Sequence, residues 1–339
     1  MTRFSWHFAR RWGTRAVGLM ITAVGIYVVA PSVLSLLNEW PKLRDVRPLW
    51  FLVLALLETA AWVSLWILVR TVLPATRWST IGSAQLAGNA AGCTLPGGAA
   101  TGGVVQASML VRAGNSPGVV AGALGSVGLL TTGMLLALPL LTIPAVIIRP
   151  PPARQLQLGL VVSLIVAVAL VLIGLALLRW DWFVRVLARG AGRLVHLVRR
   201  SADVETVADR VVAQRDAVAA AFAGHWGRAL SAAAANRMLD YSALVAAVYA
   251  VGGRARPAMV LLAYVISLAL ALVPVTPGGL GFVEAGLTSI LVLAGVNADA
   301  AVLGTLLYRT FSFWLPIPIG MVAWVGWRFR AQAIPESQA

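Results

Sequence analysis

The chain has 339 residues, of which 60% are hydrophobic and only 12% charged, with a mean hydropathy of +0.86. Soluble domains run at about 45–50% apolar, so this composition excludes an ordinary soluble domain and points to a membrane protein. The net charge of +15 does not indicate nucleic-acid binding, because the basic residues fall in short runs between apolar stretches and no alternation of base and aromatic side chains offers a stacking platform.

Taken in chain order, Arg3, Arg10, Arg11 and Arg15 precede an apolar run over 16–37. That run is long enough to span, and Pro31 follows Ala30 where a cleavage site would fall. It is read as a retained first helix. Further segments of spanning length cover 49–69, 118–148, 156–178, 228–250 and 299–327. Two other regions, 80–111 and 257–295, are apolar but rich in glycine and broken by Pro96 and Pro277. Each is either a pair of full helices or a re-entrant hairpin. Unwound backbone at membrane depth survives only where protein or water covers it, so such breaks mark candidate sites. The stretch 179–227 carries eight arginines from Arg179 to Arg215, together with Asp203, Glu205, Asp209 and Asp216, and leucines at helical spacing. It reads as a cytoplasmic amphipathic helix or helix pair lying on the membrane. With Arg328 and Arg330 near the end, the arginines orient both termini to the cytoplasm of a multi-pass inner-membrane protein. Arg149, Arg154, Arg254 and Arg256 are then the exceptions to that rule.

The chain partly matches itself when shifted by 181 residues (277 − 96). Pro96-Gly97-Gly98 falls on Pro277-Gly278-Gly279 and Ala113-Gly114 on Ala294-Gly295. The spans 49–69 and 118–148 fall on 230–250 and 299–329, and Glu58 lands one position from Asp240. The expected architecture is therefore a single all-α polytopic membrane domain over 1–339. Repeat one covers about 16–148 and repeat two about 156–329, with the insertion at 179–227. Span parity makes the repeats inverted, each containing one Pro-Gly-Gly broken hairpin. Secondary transporters share this architecture and place substrate near the midplane at the breaks.

An ionisable group at bilayer depth costs roughly 2.5–3.5 kcal/mol on insertion scales. Of the 12 acids, Glu58, Asp240 and Glu284 are read at that depth, with Arg309 inside the last span. Arg309 is expected to face the interior and meet either Glu284 or an anionic headgroup; the plainer alternative is an ion pair that only holds helices together. Asp240 is read either as a substrate contact or as a structural hydrogen-bonding group with Asn236 or Tyr241. Glu58 is a substrate contact, a proton carrier or a structural group, and Glu284 is a second candidate proton carrier. Gly97, Gly98, Gly278 and Gly279 allow close backbone approach, which packing alone would also explain. Arg112 is an interface anchor or a headgroup contact. Trp40, Trp50, Trp78, Trp180, Trp182 and Trp327 read as interface belt.

No metal centre or cofactor is expected. Cys93 is the single cysteine, His7, His196 and His225 are far apart, and no Gly-Lys-Ser/Thr loop is present to support an ATPase.

The run Thr276-Pro277-Gly278-Gly279-Leu280-Gly281-Phe282-Val283-Glu284, then Gly295, Ala300, Ala301, Tyr308-Arg309 and Pro316 to Gly320, resembles the signature of the lysylphosphatidylglycerol synthase/flippase membrane-domain family. Asn236 to Asp240 looks like the segment that precedes it. The resemblance covers roughly 16–327 and is most specific over 276–320. It implies a membrane domain that moves aminoacylated phospholipid, related glycolipids or lipid carriers between leaflets. Some members carry a fused synthase; these 339 residues hold none, so aminoacyl transfer by this chain alone is not expected. The substrate-binding set expected from the charges, the breaks and the resemblance together is Glu284, Arg309, Asp240, Tyr308, Pro277, Gly278, Gly279, Gly97, Gly98 and Glu58. The first half departs from the pattern. Gln106 stands where a charge is usual, and Gly128 stands opposite Arg309 on the 181-residue offset. Lysylphosphatidylglycerol itself is thereby in question as the substrate.

The expected function is a lipid translocase without its own ATPase, binding a membrane lipid or lipid-linked carrier. The alternative is an accessory protein that recruits a separate synthase or glycosyltransferase through 179–227. An intramembrane enzyme would need a nucleophile or metal near the acids, and none is evident.

Overall fold

The computed structural model describes residues 46–95, 98–142, 222, 224–254, 256–271 and 279–332, with isolated helical positions within 161–172 and 213–220. The span at 16–37, nearly all of the 179–227 stretch, and Pro96, Gly97, Pro277 and Gly278 lie outside these residues. Among the described residues there is no strand. Nine helices follow in order: α1 (Pro48–Val72), α2 (Trp78–Thr94), α3 (Ala99–Arg112), α4 (Pro117–Ala137, continued by a 3-10 turn Leu138–Thr142), α5 (Trp226–Ala250), α6 (Pro257–Ala271), α7 (Phe282–Leu293), α8 (Ala298–Arg309) and α9 (Pro316–Gln332). Four of them begin at proline, whose fixed φ and missing N–H suit the first helical position.

Among the described residues, three stretches are long and apolar enough to cross a membrane: Pro48–Val72, Pro117–Leu141 and Ala298–Phe329. The side chains are arranged for an apolar surrounding. On α1, Leu49, Leu52, Leu56 and Val63 point outward, while Leu54, Glu58, Ala61, Ser64 and Leu68 are buried. Both sets recur at three- and four-residue intervals, so a helical surface of leucine faces lipid and the polar groups face the protein.

The helices on either side of the breaks are shorter. α2 has 17 residues, α3 14, α6 15 and α7 12. At 1.5 Å per residue these lengths are about 26, 21, 23 and 18 Å, against a hydrocarbon core of about 30 Å. α2 and α3 pack antiparallel at close range. A Cβ on Gly88 would stand 2.8 Å from the carbonyl oxygen of Gly102, and one on Gly102 would collide with the carbonyl of Gly88. α9 seats on α2 in the same manner, with Gly320 against the carbonyl of Leu86. Small residues let backbones approach where no hydrophobic force between helices is available.

The 181-residue offset carries into the geometry. Adding it to the bounds of α1, α2, α3 and α4 gives 229–253, 259–275, 280–293 and 298–318, within a few residues of the bounds or starts of α5, α6, α7 and α8. Gly98 and Gly279, which the offset pairs, have φ of 53° and 72°; Gly114 and Gly295 both have 96°. α1 and α5 themselves pack antiparallel: Asn236 on α5 donates to the carbonyl of Ala61 at 2.9 Å, while Asp240, one turn on, lies against Glu58, one turn back.

Helix α8 does not stop cleanly at Arg309. It opens into a π-turn over Thr310–Trp314, in which Leu315 N–H donates to the carbonyl of Thr310 at 2.8 Å. Pro316 has no N–H to offer the carbonyl of Ser312, so the regular hydrogen-bond ladder cannot continue and the coil widens.

Candidate functional site

The site is built where α1, α5, α6, α7 and α8 meet. The antiparallel seam of α1 and α5 brings Glu58 within hydrogen-bonding reach of Asp240. By helical rise, each lies at least about 15 Å from either end of its own helix. Both oxygens of Asp240 accept hydrogen bonds: Oδ1 from the hydroxyl of Tyr308 at 2.8 Å, Oδ2 from that of Tyr264 at 2.7 Å. Tyr308 on α8 and Tyr264 on α6 are themselves buried, so one carboxylate ties three helices together. Arg237, one turn before Asp240, reaches the hydroxyl of Tyr264 and donates through Nε to the carbonyl of Thr131 on α4 at 3.4 Å.

The second cluster shares α8. Arg309 Nε donates to Glu284 Oε1 at 2.7 Å, with side chains only 10% and 13% exposed. Glu284 sits in the first turn of α7, where the free N–H groups favour a negative charge. The approach to that turn runs through Gly279 and Gly281, both at positive φ. At Gly279 the left-handed backbone admits no ordinary side chain, and an added Cβ would come within 2.5 Å of Val283. The guanidinium of Arg309 also stacks over Phe313, 4.0 Å from the ring centroid. One turn deeper on the same two helices, Thr288 donates to Thr305 at 3.1 Å. The other carboxylate oxygen of Glu284 is buried with no hydrogen-bond partner among the described residues, as is Oε1 of Glu58. Cys93, at the end of α2, is within electrostatic range of Arg309, which places the neighbouring α2–α3 turn at Gly98 on the same side.

The expected residues thus fall into two clusters joined by the consecutive pair Tyr308-Arg309: Glu58, Asp240 and Tyr308 in one, Glu284 and Arg309 in the other. Gly279 borders the second. Pro277, Gly278 and Gly97 lie outside the described residues. Of the two partners expected for Arg309, Glu284 is present. The partners expected for Asp240 are corrected. Asn236 is used by Ala61, and Tyr241 donates to the carbonyl of Pro257 at 2.8 Å. Tyr264 and Tyr308 take their place from other helices; Asn236 shares the α1-facing side of α5 with Asp240, but its amide is taken by Ala61, and Tyr241 turns to Pro257. Gln106, where charge is usual, bonds Gln85 across the α2–α3 pair at 2.6 Å, and Arg112 stacks on Trp327 at 5.9 Å.

Two site residues were missed. Arg237 stands at the middle of a span and three residues before an acid, a signal available in the sequence. Tyr264 lies in a continuous apolar run, and nothing local links it to Asp240.

Over 69 residues the chain is 39% identical to the UPF0104 membrane protein PH1989 of Pyrococcus horikoshii, a stretch that covers 20% of this chain and 21% of that protein. The match thus spans about a fifth of the relative's length. Residues 12–320 match the family described as lysylphosphatidylglycerol synthase TM region. The match takes in both clusters and every described helix up to Gly320, and the chain belongs to that family of membrane proteins.

Proposed function

We propose that this protein is a lipid translocase of the cell membrane, moving an anionic or aminoacylated phospholipid, or a related lipid-linked carrier, between leaflets without hydrolysing ATP. The observation that carries the reading is the Glu284–Arg309 pair, buried between α7 and α8 beside a π-turn and a glycine break, with one carboxylate oxygen still unpartnered. A purely structural pair is expected to satisfy both partners fully. Here the open oxygen suits an ammonium or hydroxyl of a headgroup, while the guanidinium and the N-terminus of α7 suit its phosphate. The short helices α2, α3, α6 and α7 support two re-entrant hairpins that keep the headgroup path inside protein while acyl tails stay in lipid. The antiparallel packing of the equivalent helices α1 and α5 supports inverted repeats, with both termini in the cytoplasm. The arginine-rich 179–227 stretch favours a second role as a docking surface for a separate lipid-modifying synthase or glycosyltransferase.

The test uses purified protein in liposomes, fluorescent phospholipids of several headgroups and an impermeant quencher. Wild type is expected to exchange lipid between leaflets, and Glu284→Gln and Arg309→Lys to lose most of that exchange. If no headgroup is exchanged, or if both variants match wild type, the proposal fails.

A further inference from the structure

The charges buried at the site do not sum to zero. Three acids (Glu58, Asp240 and Glu284) face two arginines (Arg237 and Arg309). Glu284 is matched by Arg309 at 2.7 Å. Asp240 is matched by two tyrosine hydroxyls, with Arg237 behind Tyr264. Glu58 has no cation against it among the described residues. It lies on Asp240, is 7% exposed, and keeps one buried oxygen with no hydrogen-bond partner among the described residues. Tyr308 from α8 also acts on it, while Tyr264 from α6 and the Arg237 guanidinium on α5 lie on the Asp240 side of the pair and Tyr241 is turned away to Pro257.

Two ionised carboxylates cannot bond each other, because each only accepts. At contact in a medium of low dielectric they also repel strongly. Asp240 already accepts through both oxygens from tyrosine, so it is the carboxylate of the pair. The hydrogen joining the two acids must therefore belong to Glu58. One proton there satisfies the contact and brings the five groups to net zero.

We propose that Glu58 and Asp240 form a proton-binding site that loads and releases one proton as α1 and α5 move against each other. Resting on the translocase reading, we infer that this proton couples lipid movement to a pH gradient. On release the Glu58 O–H bond breaks, the proton passes to water, and the pair changes from one negative charge to two. Arg237 is placed to swing in and offset that charge, since its bond to the Thr131 carbonyl is long, at 3.4 Å, and readily given up. Glu284 is engaged differently, by the ionic contact of its Oε1 with Arg309 at 2.7 Å.

The test has two arms on the full-length protein. Infrared difference spectroscopy between acid and alkaline buffer reads the carbonyl stretch of a protonated carboxyl. Wild type is expected to show one pH-sensitive signal, lost in Glu58→Gln and kept in Glu284→Gln. A wild type without the signal, or a folded Glu58→Gln protein that keeps it, overturns the site; if Glu58→Gln does not fold, Glu58→Asp, which keeps a carboxyl, is read in its place, and a signal unshifted from wild type overturns the site. In proteoliposomes with an imposed pH gradient, one proton per lipid shifts the leaflet ratio of the transported lipid up to about tenfold per pH unit, since each pH unit is a tenfold ratio of proton activity. Glu58→Gln is expected to remove that shift. If the signal tracks Glu58 but no headgroup moves, the translocase reading fails and the proton site stands. If lipid moves at a gradient-independent ratio, the coupling fails and the translocase reading stands.

Discussion

Replacing Arg309 with methionine leaves the carboxylate of Glu284 buried with neither of its oxygens matched. The pair sits at 10% and 13% exposure and is joined at 2.7 Å. Removing one partner of a buried pair costs about 3–5 kcal/mol, because the remaining charge has lost its compensation. Replacing both partners with apolar side chains of similar size removes that penalty, and such exchanges are often neutral or stabilising. The expected outcome is therefore non-additive. Arg309→Met and Glu284→Leu are each destabilised by about 3–5 kcal/mol, whereas the double variant lies within about 1–2 kcal/mol of wild type. Denaturation by SDS in mixed micelles, followed through tryptophan fluorescence, measures all four corners of this cycle. The exchange assay on the double variant then separates the two roles of the pair. A stably folded double variant that no longer exchanges lipid supports a substrate site at Glu284 and Arg309. A double variant that folds and exchanges normally reduces the pair to a helix clamp and refutes the site. Single variants that cost less than about 1 kcal/mol would show that water reaches the pair and that the burial argument is wrong.

Three further outcomes follow from the packing. Gly102→Ala places a methyl on the carbonyl of Gly88 and is expected to cost about 1–3 kcal/mol, while Gly103→Ala, one residue on with nothing within 4 Å, is expected to gain about 0.5–1 kcal/mol; thermal unfolding in detergent checks both. Tyr264→Phe strips one of the two hydroxyl bonds from Asp240 and is expected to cost about 1–3 kcal/mol, read in the same micelle titration. Asn297→Ala removes the side chain that accepts from the amide of Ala300 at 2.7 Å at the start of α8 and is expected to cost about 1 kcal/mol, read as a lowered midpoint in a thermal melt.

Composition and periodicity in the sequence determined that this is an all-α membrane protein. They also placed the spans 49–69 and 228–250, which the structure extends to Pro48–Val72 and Trp226–Ala250. These are local properties: twenty apolar residues in a row have few other places to go, and proline and glycine break a helix wherever they stand. The Gly-rich breaks at Pro96 and Pro277 were legible for the same reason, and Gly98 and Gly279 both take positive φ. Glu58, Asp240, Glu284 and Arg309 stood out individually, because a charge in an apolar run is costly to keep.

Which of these groups touch was decided only by the tertiary structure. The ionic partner of Arg309 is 25 residues away on another helix, and the hydrogen-bond donors to Asp240 are 24 and 68 away, on helices whose rotation about their own axes no local pattern sets. The near neighbours Asn236 and Tyr241 were the natural candidates for Asp240 by sequence. At steps of four and one around a helix, they were drawn instead to Ala61 and Pro257 by the helices they happened to face. The site exists because side chains of five helices meet, and the sequence records which residues are costly to keep in an apolar run more plainly than it records the angle at which each helix turns its side chains inward.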